Sequence, residues 1–396
     1  MRGEIYVDTI LKNAYDIQDE IISWRRHLHM NPELSFQEYE TSEFVKKNLE
    51  KMGLDVEGPI AKTGLVVNIK GKKEGPTVGL RADMDALPIK DEKEVPYKSK
   101  KDNVAHLCGH DAHTAILLGV AKTLANFNLE RGNIKLIFQP AEEGEHGAKH
   151  MVEEGVLETP DVDIIAGLHV HPTADTGNIT ITKGYASATA DTFSIDIIGE
   201  GGHGAHPHMS VDSIAITGEI ITSLQQIVSR NIDPTEPIVI TIGRIEGGYN
   251  NNVIAPKVHL EGTVRMLNPK LRAKIKSTME NYISGITKGM GADFKFQYYE
   301  GVGSVYVDEK LLPVLENTSD KVLGKNKYTY IKSGMGGEDF SYFTDVIPGV
   351  FFRLGIYNEE KNCIYPNHHP KFDIDEKALP LGVAMLTQFA LDYINN

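Results

Sequence analysis

The sequence predicts an α/β protein in which helices cover both faces of a mixed sheet, with a smaller α+β domain inserted into the chain. Short apolar runs of strand length alternate with segments of helical periodicity before and after the middle of the chain. The middle instead alternates strictly between apolar and polar residues, as in a sheet with one solvated face. Residues suited to metal binding lie on both sides of that middle segment, so the chain is expected to leave the first domain and return to it.

The first part of the chain carries the elements of an α/β domain. Apolar positions at helical spacing predict helices over 11–30 and 36–52, which Asn31-Pro32 separates. Buried strands are predicted at 65–69, 77–84, 134–138 and 164–169, with a helix of few charges over 111–127. Strands separated by helices favour a sheet that is covered on both faces.

The inserted domain is predicted over residues 188–300. Alternating strands are expected at 193–197, 258–266 and 294–298, and apolar stripes predict helices over 214–228 and 271–290. The order strand, helix, strand, strand, helix, strand indicates an α+β sandwich. Residues 1–187 and 301–396 then form a discontinuous catalytic domain, which includes a strand at 350–355 and a final helix from Glu376.

Length, charge and cysteine content argue against several classes of protein. The chain has 396 residues, 41% of them hydrophobic, which is enough for two cores. Its formal charge of −14, from 41 basic and 55 acidic side chains, argues against nucleic acid or an anionic membrane as partners. No apolar run reaches the roughly 18 residues of a membrane span. Two cysteines are too few for a disulfide framework, so a cytoplasmic location is expected.

Cys108-Gly109-His110 is the strongest chemical signal, because a thiolate and an imidazole at the start of a predicted helix make a metal clip. The chain also offers His169, and the pair His368 and His369 before Pro370. Sulfur and imidazole suit zinc or a transition metal better than calcium or magnesium. A nucleophilic or an inert buried cysteine are the alternatives for Cys108.

Glu142 and Glu143 follow a predicted strand and precede Gly144. Adjacent side chains of an extended segment point in opposite directions, so one carboxylate can bind metal while the other acts on the substrate water. A solvated acidic turn is the alternative. Together with the candidate ligands, the pair predicts a metal-dependent hydrolase.

Other polar residues allow two interpretations each. Asp83 and Asp85 at a strand end could orient a ligating histidine or cap the following turn. His113 could support the site or be a satisfied helix residue. The glycine-rich turn around His203 could approach a ligand, although such turns are weak signals. Asn252 and Arg265 could bind a substrate carboxylate, or could be a polar turn residue and a solvent-facing strand residue.

Seven motifs together resemble the N-acyl-amino-acid amidohydrolases. This group includes hippurate hydrolase, the plant auxin-conjugate amidohydrolases and N-acetyldiaminopimelate deacetylase, within the wider aminoacylase and carboxypeptidase metallohydrolases. The motifs span nearly the whole chain in order: Arg81-Ala-Asp-Met-Asp-Ala-Leu-Pro88, Cys108-Gly-His-Asp-Ala-His113, Gln139-Pro-Ala-Glu-Glu-Gly144, Gly167-Leu-His-Val170, Gly202-His-Gly-Ala205, Gly336-Gly-Glu-Asp-Phe340 and His368-His-Pro-Lys-Phe372.

The resemblance implies a site for two divalent metal ions per subunit, with Glu142 as general base. The ligands that it implies are Cys108, His110, Glu143, His169 and His368. It favours the first histidine of the last motif, whereas His369 occupies a position that other members fill with a polar residue. Asp83 falls where related carboxypeptidases carry a metal-binding histidine, and Cys108 takes over bridging that they assign to an aspartate. The donor types favour zinc, with manganese, cobalt or nickel as alternatives.

The resemblance also implies that the inserted segment is a lid that dimerises. His203 is expected to reach the site of a neighbouring subunit and polarise the scissile carbonyl, with Asn252 and Arg265 near the substrate carboxylate. The expected partners are a small N-acyl amino acid and a second copy of the chain.

The predicted reaction is hydrolysis of the amide bond of an N-acyl amino acid, of the N-acetyl or N-benzoyl type. A metal-activated water would attack, and a carboxylic acid and a free amino acid would leave. A dipeptidase or carboxypeptidase that uses the same site is the first alternative. A metal-binding or peptide-binding protein without catalysis is the second, and the presence of Glu142 argues against it.

Overall fold

The computed structural model describes residues 2–396, with side chains from residue 9 onward. The chain divides into two compact units, a larger one of residues 2–184, 305–332 and 339–396, and a smaller one of residues 185–304 and 333–338. The return segment 333–338 falls beyond the boundaries that the sequence suggested for the insert. It belongs to the smaller unit because the Ala188 amide donates to the Gly336 carbonyl at 2.9 Å, and Ser333 Oγ donates to the Tyr185 carbonyl at 2.5 Å.

Helices and strands alternate through both units. The helices are α1 (Arg2–Asp16), α2 (Gln18–Met30), α3 (Tyr39–Lys51), α4 (His110–Ala125), α5 (Gly147–Glu153), α6 (Ser213–Gln226), α7 (Arg272–Gly289), α8 (Leu312–Val322), α9 (Ser341–Thr344) and α10 (Ala378–Asn395). The strands are β1 (Val56–Ile60), β2 (Gly64–Lys70), β3 (Thr77–Asp83), β4 (Asn133–Gln139), β5 (Ile164–Asp175), β6 (Ile179–Ile181), β7 (Gly184–Tyr185), β8 (Asp191–Ile198), β9 (Gly202–His203), β10 (Ile238–Gly247), β11 (Val253–Ile254), β12 (Lys257–Met266), β13 (Asp293–Tyr299), β14 (Tyr306–Val307), β15 (Tyr328–Tyr330) and β16 (Gly349–Tyr357). Among the described residues, none of these helices is both long and apolar enough to cross a bilayer.

The larger unit is built on an eight-stranded sheet in the order β1-β2-β4-β3-β5-β16-β6-β15. Strands β4, β3, β5 and β16 are parallel neighbours, whereas β1, β2 and β6 pair antiparallel to theirs, so the sheet is mixed. Helices α4 and α10 pack on each other and against the central strands. Strand β3 is buried at every residue, as a central strand must be. The predicted α/β class is confirmed.

The register of the parallel strands brings their carboxyl ends to one edge of the sheet. Asp83, the last residue of β3, pairs with Gln139, the last residue of β4. Arg81 pairs with Gly167 on β5, so His169 lies two residues further along at the level of Asp83. This edge is where α/β proteins characteristically bind ligands.

The smaller unit is a four-stranded antiparallel sheet, in the order β10-β12-β8-β13, packed against α6 and α7. Its core joins the apolar face of β8 to both helices, with Phe193, Ile195 and Ile197 from the strand. Asp212 caps α6 by accepting hydrogen bonds from the amides of Ile214 and Ala215 at 2.9 and 3.2 Å. The alternating sequence therefore forms the one-sided sheet that it predicted.

Candidate metal centre

The Cys108-Gly109-His110 clip depends on a backbone conformation that favours glycine. Gly109 has a φ of +101° and immediately precedes α4. A Cβ atom at this position would lie 2.3 Å from Cγ2 of Val170, so strand β5 also excludes a larger residue. Glycine therefore lets the thiol of Cys108 and the ring of His110 approach the end of β5.

Asp85 orients His110. Oδ1 of Asp85 lies 3.1 Å from Nδ1 of the ring, which places a proton on Nδ1 and leaves Nε2 as the nitrogen that can bind an ion. Burial alone would lower the pKa of His110, but Asp83 and Cys108 raise it well above its usual value, so an ion must displace a proton from Nε2. That Nε2 atom is buried and makes no hydrogen bond to any residue that the structure describes. A buried nitrogen without a partner is costly unless something binds it, so Nε2 is suited to hold a metal ion.

His169 presents its ring in the same way. Nδ1 lies 2.8 Å from the carbonyl oxygen of Val170 and donates to it, which leaves Nε2 as the acceptor. Nε2 lies 3.4 Å from Sγ of Cys108. Burial is the main cause that holds the pKa of His169 well below its usual value. The ring is therefore neutral, as a metal ligand requires.

The Glu142-Glu143 turn follows Ala141, whose φ is +55°. The Glu143 amide donates to Oδ2 of Asp85 at 3.0 Å, so Asp85 orients this turn as well as His110. Oε1 of Glu143 is buried, lies 4.0 Å from Nε2 of His110, and lacks a hydrogen-bond partner among residues 2–396. Oε1 of Glu142 accepts the amide of Asp339 at 3.3 Å.

The two histidines of the last motif have different surroundings. His368 has a φ of +67°, and its Nε2 lies 3.4 Å from Oε1 of Glu143. His369 instead stacks its ring on Tyr365, with ring centroids 4.4 Å apart, and its Nδ1 accepts the Lys371 amide at 3.0 Å. The geometry thus brings His368 and not His369 to the other candidate ligands.

His113 has no nitrogen left for a metal. Its Nδ1 lies 2.6 Å from Oδ1 of Asp83, and its Nε2 accepts the Val170 amide at 3.0 Å. Burial alone would raise the pKa of Asp83, but Arg81, whose NH1 donates to Oδ2 at 2.8 Å, and the nearby histidines hold it well below its usual value. Asp83 and His113 therefore form a buried support beneath the candidate ligands.

The assembled donor atoms fit two divalent ions. Two groups of donors, each with all atoms within 4.8 Å of one another, share Cys108: one adds His110 and His169, and the other adds Glu143 and His368. Each group thus contains one buried donor atom without a hydrogen-bond partner among the described residues, Nε2 of His110 in the first and Oε1 of Glu143 in the second, and a bound ion would satisfy both atoms. Burial raises the pKa of the Cys108 thiol to about 12, so metal binding must displace a proton from it.

The remaining predicted residues lie in the smaller unit. His203 is exposed on β9, where it pairs with Val253 of β11, and its Nδ1 accepts the Ala205 amide at 3.1 Å. Asn252 is exposed, and its backbone carbonyl accepts the Gly204 amide at 2.8 Å. Arg265 is half-buried on β12. The pairing of β9 with β11 and the bond from the Gly204 amide place His203 and Asn252 on neighbouring segments of the smaller unit.

Sequence reasoning missed three polar residues that support the centre. Ser35 Oγ donates to Oδ2 of Asp85 at 2.7 Å, and Asn367 Nδ2 donates to the carbonyl of Cys108 at 2.9 Å. Glu38 accepts the amide of Ala141 at 2.8 Å. Only Asn367 carried a signal, because it directly precedes the candidate ligand His368.

The fold and the donor set define a metal-dependent hydrolase. A profile of the peptidase family M20/M25/M40 matches residues 79–392. The chain belongs to this family, and the resemblance read from the motifs is confirmed.

Three similar proteins show how the family varies. Thermostable carboxypeptidase 2 of Saccharolobus solfataricus is 41% identical over 98% of this chain and 99% of its own length. N-acetylcysteine deacetylase of Bacillus subtilis is 38% identical over 94% of this chain and 96% of its own. The crystal structure of a dinuclear metal-binding M20 peptidase from Bacillus subtilis has 33% identity and a TM-score of 0.85, and the match covers 96% of this chain and 99% of that one.

Proposed function

We propose that this protein hydrolyses the amide bond of N-acyl amino acids, of the N-acetyl or N-benzoyl type, with two divalent ions per subunit. The observation that carries the proposal is the position of Glu142, directly beside Glu143, whose carboxylate belongs to the donor set. Similarity to an N-acetylcysteine deacetylase supports the acyl amino acid as substrate.

In this proposal, one set of residues binds the metal ions and another residue transfers the proton. Cys108, His110, Glu143, His169 and His368 hold the ions. When bound, the ions polarise the acyl carbonyl and lower the pKa of water. Glu142 takes the proton of the attacking water and delivers it to the leaving nitrogen. The sulfur and imidazole donors favour zinc, with manganese, cobalt or nickel as alternatives.

The inserted segment of residues 188–300 serves as a lid in this proposal. His203 polarises the scissile carbonyl in the site of a neighbouring subunit, and Asn252 and Arg265 bind the substrate carboxylate. The exposure of His203 and Asn252 supports this role, because both side chains are available to a ligand.

A homodimer is proposed through the edge of the smaller sheet. Strand β10 is one of the two edge strands of this sheet, the other being β13, so one side of its backbone is open to pairing with another strand. Ile245 on this strand is 56% exposed, and Tyr249 just beyond it is 80% exposed. A second copy that pairs there would cover both.

A cytoplasmic location is also proposed. Within residues 2–396 the two cysteines form no disulfide, which supports this location.

A carboxypeptidase or dipeptidase activity is the second candidate, because a relative at 41% identity is named a carboxypeptidase. The same site would cleave a peptide if the acyl group were itself an amino acid. The two functions differ only in what the acyl side of the cleft accepts.

A substrate panel tests both candidates. Metal-free protein is loaded separately with zinc, manganese, cobalt and nickel, and then assayed on N-acetyl amino acids, N-benzoyl amino acids, unblocked dipeptides and dipeptides with amidated carboxyl ends. We expect turnover of the N-acyl amino acids and weaker turnover of unblocked dipeptides. Faster cleavage of unblocked dipeptides would favour the peptidase, and no turnover with any ion would refute the proposal.

A further inference from the structure

The segment 33–38, between α2 and α3, runs alongside the candidate metal centre. Leu34 forms a parallel β-bridge with Ala86. Ser35 Oγ donates at 2.7 Å to Oδ2 of Asp85, the same oxygen that accepts the Glu143 amide. The segment therefore contacts the groups that orient two of the candidate ligands, although it carries none itself.

Glu38 ends this segment with a carboxylate that is fully buried. Its Oε1 accepts the backbone amide of Ala141 at 2.8 Å, and its Oε2 accepts the hydroxyl of Thr63 at 2.7 Å. A buried carboxylate is costly unless such donors satisfy it, and an amide that lost this acceptor would itself be left buried without a partner. The carboxylate of Glu38 and the amide of Ala141 thus satisfy each other's need for a hydrogen-bond partner.

Ala141 directly precedes the two adjacent glutamates, and its backbone conformation sets the direction of the turn that carries them. Its φ of +55° lies in the left-handed region, which an alanine adopts only when its surroundings hold it there. Its carbonyl accepts the Gly147 amide at 2.8 Å, and its amide is held by Glu38. The next two residues are Glu142 and Glu143, so the direction of both carboxylates follows from the conformation of Ala141.

We propose that Glu38 is a positioning residue for the reaction, which holds the Ala141 amide and thereby sets the directions of Glu142 and Glu143. This inference rests on the proposed function, because it assumes that Glu142 acts on the substrate water. Glu38 itself touches no candidate ligand and takes no part in proton transfer. It acts through a single hydrogen bond, which it accepts from the backbone amide of Ala141, a residue 103 positions further along the chain.

Three variants at Glu38 separate the hydrogen bond from the charge. Glu38→Ala removes the acceptor, Glu38→Asp withdraws it by one methylene, and Glu38→Gln keeps an acceptor oxygen at the same reach without the charge. Glu33→Ala is the matched control, because Glu33 is a buried carboxylate on the same segment that makes no hydrogen bond to Ala141. Its Oε2 accepts the Thr41 amide at 2.8 Å in the first turn of α3, and its Oε1 lies 3.6 Å from Nζ of Lys101.

The first readout is amide hydrogen exchange, which does not depend on activity. In the metal-loaded protein, we expect overlapping peptides across 138–147 to exchange about tenfold faster in Glu38→Ala and Glu38→Asp, and at the wild-type rate in Glu38→Gln and Glu33→Ala. The second readout is cobalt binding, whose affinity should fall about tenfold in Glu38→Ala as Glu143 loses its direction.

The third readout is steady-state kinetics on the best N-acyl amino acid. We expect kcat to fall about 10- to 100-fold in Glu38→Ala and Glu38→Asp with KM nearly unchanged, and Glu38→Gln to restore it. Wild-type kcat in Glu38→Ala would overturn the proposal, as would equal losses in Glu33→Ala or no rescue by Glu38→Gln. If Glu38→Ala does not fold, Glu38→Asp decides, and the same outcomes apply to it.

Failure of the proposed function would look different. If the wild-type protein turns over no substrate of the panel, the function is refuted, whereas exchange and cobalt binding still report whether Glu38 holds the turn. Unchanged exchange and unchanged cobalt affinity in Glu38→Ala would refute the positioning role by themselves.

Discussion

Nε2 of His169 lies 3.4 Å from Sγ of Cys108, although 61 positions of the chain separate the two residues. The imidazole comes from the middle of a central strand, whereas the thiol comes from the loop before α4. The Val170 carbonyl fixes the ring, and the left-handed conformation of Gly109 fixes the loop. Two backbone features therefore bring a nitrogen and a sulfur donor within reach of a common ion.

Replacing Cys108 by alanine should remove both ions, because this residue belongs to both donor groups. We expect metal content after reconstitution to fall from about two ions per chain to below one, as measured by elemental analysis. Cys363→Ala is the control, since that thiol is also free and buried but belongs to no donor group among the described residues. Full occupancy in Cys108→Ala would show that the thiol is not a ligand.

Replacing Glu142 by glutamine should separate binding from turnover. The amide can still accept the hydrogen bond from the Asp339 amide but cannot take a proton, so we expect two ions to remain while kcat falls about 10²- to 10⁴-fold. Glu145→Gln, an exposed neighbour in the same turn, should keep wild-type kcat. Unchanged turnover in Glu142→Gln would mean that another group is the base.

His368→Ala and His369→Ala form a matched pair for the last motif. His368→Ala should weaken metal binding about 10- to 100-fold, because Nε2 of His368 faces Glu143. His369→Ala should leave metal affinity unchanged, since its ring stacks on Tyr365. Isothermal titration of the metal-free variants measures both, and the opposite pattern would assign the ligand to His369.

The stability of the protein should depend on pH through Glu38. Burial raises the pKa of Glu38 from its ordinary value of 4.5 to about 7. Between these values the folded state binds more protons than the unfolded state, so the free energy of unfolding falls as pH rises through this window and levels off above it. The fall should be up to about 3 kcal/mol relative to Glu38→Gln, since one pKa unit corresponds to about 1.4 kcal/mol.

Urea unfolding of the wild-type protein and Glu38→Gln from pH 4.5 to 8 measures this effect, because other groups cancel in the difference between the two. A difference in unfolding free energy that stays constant across this range would show that Glu38 titrates at its ordinary pKa.

Four of the five candidate ligands could be predicted from the sequence because they stand in short motifs near the end of a predicted strand or at the start of a helix, whereas His368 lies in a loop before the last helix. Cys108 and His110 are two residues apart, and Glu142 directly follows the strand and turn that position it. Residue type and local pattern therefore carried most of the chemical information. His368 could be separated from His369 only by resemblance, since both are imidazoles in one turn.

Ser35 and Glu38 could not be predicted in the same way. Ser35 lies between the two predicted helices, in a stretch that would usually be a loop exposed to solvent, and Glu38 falls inside the helix predicted over 36–52, which in the structure begins only at Tyr39. Their roles depend on tertiary contacts, of Ser35 with Asp85 and of Glu38 with Ala141, which no local sequence pattern indicates. The supporting layer of the site was therefore found only in the structure.

Two elements of secondary structure depart from the sequence prediction. Strand β1 was missed because Gly58-Pro59 interrupts it, and both residues disfavour strands. The helix predicted over residues 11–30 is divided at Ile17, although the apolar spacing continues and neither glycine nor proline marks the break. The strands with strict alternation in the smaller unit were the most predictable, since one face must be buried.

The donors of the centre come from distant parts of the chain, and His368 is made long after Cys108, His110, Glu143 and His169. During synthesis on the ribosome, a nascent chain can expose the first four donors while the fifth is still missing. An ion captured at that stage would be held by an incomplete set and could exchange with competing ions. Correct metallation is therefore expected to be a late event, which follows completion of the fold rather than guiding it.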